Sequence, residues 1–281
     1  MKNLFSALRG KIFLTLYLSQ TISLLGDAFT WVGIALLAFQ FGGGHSAAIL
    51  STALTLRVTA FIIFGPYAGV IADRIDRKKI MYITHFVRMA IVGCLPFVTE
   101  AWQIYVLIFF LNIFNAFFTP AYQAAIPQAI QNKEAYSSGI ALSNATNQLL
   151  GVLGPGLAGA VAAWLGARQI FFVDAASFII AAVFILTLPS LLVIKKERGN
   201  VIQAKVWTDV LKGTRLLFTN TAIRFALLIE LVSAIAGAQI LVNTVGYIKG
   251  QLHLTDKHYG YVMAAFGIGA AIAAFASGNF D

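Results

Sequence analysis

Five ionisable side chains stand inside long apolar runs of this sequence: Asp27, Arg57, Arg88, Asp174 and Glu230. A charge in hydrocarbon costs about 2.5 to 3.5 kcal/mol on insertion scales, so each needs a partner, a wet cavity or a function. A carboxylate that is neutral in one state and charged in another can carry a proton, and Asp27 is the first candidate for that work. Asp27 lies near the middle of the first apolar run and Arg57 near the middle of the second. Equal depth on consecutive antiparallel helices predicts an ion pair, in which desolvation and the arginine act on the carboxylate in opposite senses. A pair that only fixes helix register is the alternative. Glu230 is the second candidate for proton coupling. Arg88 has no evident partner and reads as a structural contact. Asp174 lies a few residues from the end of its run, where a charge can reach the interface cheaply.

Polar residues recur beside these charges at three- and four-residue steps, so they form stripes on helices. Gln20, Ser23, Asp27 and Thr30 or Trp31 make one stripe. Asn112, Asn115, Thr119 and Tyr122 make a second, and Asn144, Asn147, Gln148 and Gly151 a third. An unpaired amide in hydrocarbon is costly, so the stripes face other helices or water. A shared water-filled cavity is expected, lined by Gln20, Ser23, Trp31, Asn112, Asn115, Asn144 and Gln148. Dry hydrogen bonds between helices are the alternative.

The composition places these helices in a bilayer. Of 281 residues, 59% are hydrophobic and 11% charged, whereas soluble domains carry roughly 25% charged residues. The net charge of +9 is a topology signal rather than a nucleic-acid footprint. Fifteen of the twenty Lys and Arg fall in segments of one parity, and only Arg168, Lys249 and Lys257 fall in the other. That split predicts a cytoplasmic N-terminus, with both chain ends inside. The single Cys94 excludes an intrachain disulfide and is expected as a buried thiol. No cleavable signal peptide, nucleotide-binding loop, zinc spacing or hydrolase elbow is apparent, so neither an enzyme nor a cofactor is expected.

Eight spans are predicted, at about residues 12–41, 47–72, 80–98, 102–126, 139–165, 170–194, 222–248 and 259–276. Each approaches or exceeds the roughly 20 residues that a bilayer core requires. Pro120 and Pro127 are expected to break the fourth near its end. Three units follow: residues 1–194 as a six-helix bundle, 195–221 as a basic cytoplasmic linker with an amphipathic helix, and 222–281 as the start of a second bundle. Gly26 precedes Asp73 by 47 residues and Gly237 precedes Asp281 by 44, so the last two spans read as a second copy of the first two.

Gly69 to Lys79 is a short charged hairpin between spans two and three. Its Gly69, Asp73, Arg74, Arg77 and Lys78 closely resemble the Gly-x-x-x-Asp-Arg-x-Gly-Arg-Arg/Lys signature of the major facilitator superfamily. Asp76 stands where that pattern has its second glycine. On the fifth span, Gly151, Gly154, Pro155 and Gly159 resemble in part the Gly-Pro motif of the superfamily's antiporter branches. Ser23-Leu24-Leu25-Gly26-Asp27 and Phe118-x-Pro120-Ala121 look like its enterobactin-exporter and macrolide-efflux branch.

That resemblance implies an all-α polytopic fold of about twelve spans, of which eight are present, as a fragment or a truncated gene. It also implies a monomer that exports a small organic molecule of drug or siderophore type, driven by proton entry. In that reading Asp73 and Arg77 form a latch between the two halves. A metal-ion exporter of the same fold, an inactive truncated transporter and a non-transporting membrane sensor remain as alternatives.

Overall fold

The computed structural model describes residues 6–130, 132–189 and 219–277. Eight long helices follow one another: α1 (Lys11–Gly42), α2 (Ser46–Arg74), α3 (Arg77–Cys94), α4 (Ala101–Ala129), α5 (Lys133–Leu165), α6 (Ile170–Thr187), α7 (Thr221–Val245) and α8 (Asp256–Ser277). No strand occurs among the described residues. Six stretches are long and apolar enough to cross a membrane, and the first, Lys11–Arg74, holds both α1 and α2. Helices stand at all eight expected spans, within a few residues at most ends, and the six stretches take in α1 to α7 but not α8. The sixth helix stops earlier, at Thr187, and the expected linker at 195–221 lies almost wholly outside the described residues. Asp281, which anchors the repeat spacing, lies outside them too.

Helix ends follow local chemistry. Gly43 closes α1 at φ 50°, a conformation open to glycine at little cost, and its N–H donates to the Phe39 carbonyl. Glu100 and Gln103 form a capping box at the start of α4. Asn220 starts α7 by accepting from the N–H groups of Ala222 and Ile223. Gly166, at φ 96°, makes the tight turn between α5 and α6. Contrary to the expected break, α4 runs through Pro120 and Pro127 to Ala129. Each proline removes a single helical N–H, and the packed neighbours hold the rest of the ladder.

The helices enclose two apolar cores, the first of which also takes in Val245, Ile248, Tyr259 and Met263. One gathers Phe29 to Ala38 of α1 with Val92, Ile104, Ile108, Leu111, Phe171 and Phe178. The other gathers Phe13, Leu16, Ile80, Met81, Phe118, Ala121, Ile126 and Ile185. On α1, α3 and α4 polar side chains lie between the cores: Ser19 and Ser23, His85 and Arg88, Asn112 and Asn115. The bundle therefore has a polar layer between two apolar ones.

α1 and α6 run antiparallel in a close register. A Cβ on Gly33 would meet the Phe171 ring, and one on Gly26 would lie 2.0 Å from Ser177 Oγ and 2.2 Å from Asp174 Oδ1. Further along, Ser19 Oγ donates to the Ala181 carbonyl at 3.0 Å. α5 and α8 also approach closely, backbone to backbone. There a Cβ on Gly260 would lie 2.2 Å from the Gly159 carbonyl oxygen, and one on Gly156 would lie 2.9 Å from that of Met263. Small residues let these backbones touch, as in many membrane helix pairs.

α7 is anchored at one end. Val245 and Ile248 are buried, while Phe225, Leu228, Leu231, Val232 and Ile235 are exposed. At the anchored end Lys249 pairs with Asp256 and lies 4.8 Å from the Phe39 ring centre. A cavity of about 490 Å³ opens beside this pair, lined by residues that include Gln40, Arg168 and Gln169.

Candidate functional site: a buried polar layer

Four helices build the layer around one cation. Arg88 of α3 is 2% exposed. Its Nη2 donates to Ser23 Oγ of α1 at 3.0 Å and lies 2.8 Å from Nδ1 of His85, one turn back on α3. Its Nη1 donates to Asn115 Oδ1 of α4. The rings of Phe178 and Phe118 flank the guanidinium, with centres 4.3 and 4.9 Å away, an arrangement that favours a desolvated cation. Arg88 thus has partners on α1, α3 and α4 and a ring from α6, where the sequence offered none.

Asp174 of α6 is fully buried. Thr30 Oγ1 donates to its Oδ2 at 2.5 Å, and Ser177 Oγ lies 3.0 Å from its Oδ1 and 2.7 Å from its backbone carbonyl. This corrects the expectation of a carboxylate near the interface. Depth counted along α6 alone misplaces it, because α1 runs on past Gly33 to Gly42 and covers the start of α6. The absent side chain of Gly26 is what lets the Asp174 carboxylate lie against α1.

Asp27, the next residue, is half-buried on the neighbouring face of α1. The expected Asp27–Arg57 ion pair is not formed: among the described residues only Arg77–Asp73 and Lys249–Asp256 come within 4.0 Å. Arg57 is exposed on α2, with its guanidinium carbon 5.2 Å from the centre of the Trp31 ring. Trp31 stands one turn beyond Asp27 and draws Arg57 past it.

The first stripe therefore divides. Ser23 and Thr30 turn into the layer, while Gln20, Asp27 and Trp31 are only partly covered. Asn112 does not face a cavity: it is 2% exposed and donates to the Ile108 carbonyl at 2.8 Å. Asn115 joins Arg88 instead. Asn144 and Gln148 of α5 are exposed, as is Arg57. Glu230 falls within α7, and its side chain lies outside the described residues. Cys94 is exposed at the end of α3, against expectation, because the helix turns there into the short 95–97 segment.

The charged hairpin is held mainly by main-chain carbonyls. Lys78 Nζ donates to the Leu186 and Leu188 carbonyls at 2.9 and 2.5 Å, capping the end of α6. Arg77 donates to the Ala124 carbonyl of α4 at 2.8 Å. Its contact with Asp73 is long, at 4.0 Å, and the Asp73 side chain is 78% exposed. Asp76 accepts from the Lys78 N–H at 2.9 Å and caps α3, which accounts for an acid where the resembled pattern has glycine. Gly69 and Arg74 make no close packing contact of this kind, and a Cβ on Gly69 would meet nothing within 4 Å.

The fifth-helix motif also divides. Gly159 meets Gly260 and Met263 of α8, Gly154 meets Ala28 of α1, and Gly151 faces open space beside Pro155's turn. Packing explains the first two glycines and leaves Gly151 without a contact.

Comparison with known proteins places this architecture. The chain is 27% identical over 276 residues to the uncharacterized MFS-type transporter YfiS of Bacillus subtilis, covering 95% of this chain and 63% of that protein. It is 32% identical over 127 residues to macrolide efflux protein A of Streptococcus pyogenes, covering 43% and 31%. It is 28% identical over 242 residues to the enterobactin exporter EntS of Salmonella typhimurium, covering 84% and 56%. The chain thus spans less than two-thirds of the length of each of these relatives. Residues 16–280 match the Major Facilitator Superfamily, and the sequence signature, the helical architecture and this match together establish that the chain belongs to that family of membrane transporters.

Proposed function

We propose that the protein containing this chain is a secondary transporter that exports a small organic molecule, of drug or siderophore type, in exchange for protons. Export is supported by the efflux and exporter names of two relatives. Proton coupling is supported by one observation above the others: Asp27 is a half-buried carboxylate at the edge of the polar layer, on the turn of α1 between Ser23 and Thr30. A change in hydration at such a site changes the balance between its two protonation states. On this reading the partly open face carrying Gln20, Trp31, Arg57, Asn144 and Gln148 lines the substrate path. Asp73, exposed at the hairpin, is free to reach the second half as a latch. The protein works as a monomer in a bacterial inner membrane with its N-terminus in the cytoplasm.

The test is transport by the purified protein in proteoliposomes under an imposed pH gradient. Asp27→Asn keeps the side-chain shape and removes the proton. It should abolish gradient-driven export while exchange of labelled for unlabelled substrate continues. Normal gradient-driven export by the variant would remove Asp27 from the mechanism.

A further inference from the structure

We propose that the cavity where the end of α1, the α5–α6 turn and the α7–α8 turn meet is a binding site for an organic acid, a carboxylate on an apolar body, whose occupant clasps α7 and α8 to the first six helices. The inference goes beyond the export reading and does not depend on proton coupling.

Size and chemistry both suit such a ligand. At about 490 Å³ the space falls within the roughly 300 to 1,000 Å³ of small-molecule sites. Leu36, Phe39 and Ala167 give it an apolar lining. Gln40 and Gln169 line it too and are exposed, so it is open to water. Its charged members are Arg168, Lys249 and Asp256, two cations against one acid, which leaves one positive charge in excess. A single carboxylate balances that excess. A hydrocarbon body covers the apolar lining, which a bare anion would leave wet.

Neither cation is closed to a ligand. Arg168 Nη1 donates to the Pro96 and Val98 carbonyls at 2.5 and 3.0 Å, so these partners are neutral. No carboxylate among the described residues comes within 4.0 Å of it. Lys249 pairs with Asp256, but the acid is the more open of the two, its side chain 38% exposed against 16%. Asp256 can therefore turn to water and yield Lys249 to an incoming carboxylate, in a charge-assisted contact. The walls come from both parts of the chain. Gln40 and Arg168 belong to the first six helices and their turns, and Lys249 and Asp256 to the segment that joins α7 to α8. That segment already touches α1: Lys249 lies 4.8 Å from the Phe39 ring centre, and a Cβ on Gly250 would lie 3.4 Å from that ring. An acid held by Arg168 and Lys249 together adds a second tie across the same seam.

The experiment is calorimetric titration of the purified full-length protein with naphthoate, against its neutral amide and inorganic phosphate. The acid should bind at least about tenfold more tightly than the amide. Asp256→Asn should tighten binding, because Lys249 loses its resident carboxylate, and Lys249→Gln should weaken it by about tenfold. Ala167→Trp should abolish binding by filling the space without touching a charge, and serves if Lys249→Gln does not fold. Equal affinity for acid and amide, phosphate that competes as well as naphthoate, or an acid affinity unchanged in these variants would overturn the site. On the proposed topology this end faces outward, so naphthoate added outside proteoliposomes should lower the rate of export. Binding that leaves the rate unchanged would overturn the clasp. If transport ignores the pH gradient, the proton-coupled reading fails and the site stands, since the titration needs no gradient.

Discussion

Gly26 and Ser177 stand so close that a methyl group on the glycine would lie 2.0 Å from the serine hydroxyl oxygen. Gly26→Ala should therefore push α1 and α6 apart and displace Asp174, whose carboxylate lies in the same gap. Overpacking of this kind costs about 1 to 3 kcal/mol. Denaturant unfolding in detergent would measure it, and Ser177→Gly should recover part of the loss. An unchanged midpoint for Gly26→Ala would mean that the two helices are not in this contact.

The α5–α8 contact gives a sharper contrast. A Cβ on Gly260 meets the backbone of Gly159, which cannot rotate away, whereas one on Gly151 meets nothing. Gly260→Ala should destabilise the protein by about 1 to 3 kcal/mol. Gly151→Ala should be neutral or stabilising by up to about 1 kcal/mol, through helix propensity alone. Parallel unfolding curves of the two variants would separate them.

At the hairpin the residues should rank by what they touch. Asp76→Ala removes the cap of α3 and should cost about 1 kcal/mol, and Asp76→Gly only a few tenths. Lys78→Ala frees the Leu186 and Leu188 carbonyls, so proteolysis or hydrogen exchange should rise at the end of α6. Asp73→Asn should leave stability within about 0.5 kcal/mol, because its carboxylate is exposed and its contact with Arg77 is long. A transport defect in that variant without a stability defect would support the latch.

Orientation is testable by labelling. Cys94 is exposed and must first be replaced, for example by alanine. Single cysteines at Gly43, Ala167 and His253 should then react with an impermeant thiol reagent added outside, and one at Asn200 should not. The opposite pattern would invert the topology proposed for the chain.

Much of the fold was legible because the bilayer imposes length and polarity together. Runs of apolar residues, the charged hairpin and the glycine turns place most helix ends within a few residues, while the start of α5 and the end of α6 fall six and seven residues away. The site was legible in part. Asp27, Ser23 and Asn115 stood out as polar residues at helical spacing. Arg88 did not acquire partners on paper, because Ser23, Asn115 and Phe178 come to it from three other helices. Asp174 was misplaced because its depth depends on how far α1 overlaps α6, which neither helix encodes alone. Arg57 sits at the right depth for Asp27, but a neighbouring aromatic ring, Trp31, takes its side chain. Equal depth brings residues to one level and leaves their direction open.

The layering of the bundle has an electrical consequence. The apolar cores on either side of Arg88 act as two insulating slabs with polar side chains between them. Moving a unit charge through a full membrane potential of 100 mV involves about 2.3 kcal/mol. On the proposed coupling, a proton that reaches Asp27 from either surface crosses one slab, and so a fraction of that voltage, before any substrate moves. The protonation of Asp27 should then respond to membrane potential as well as to pH, and the two gradients become interchangeable loads on one carboxylate.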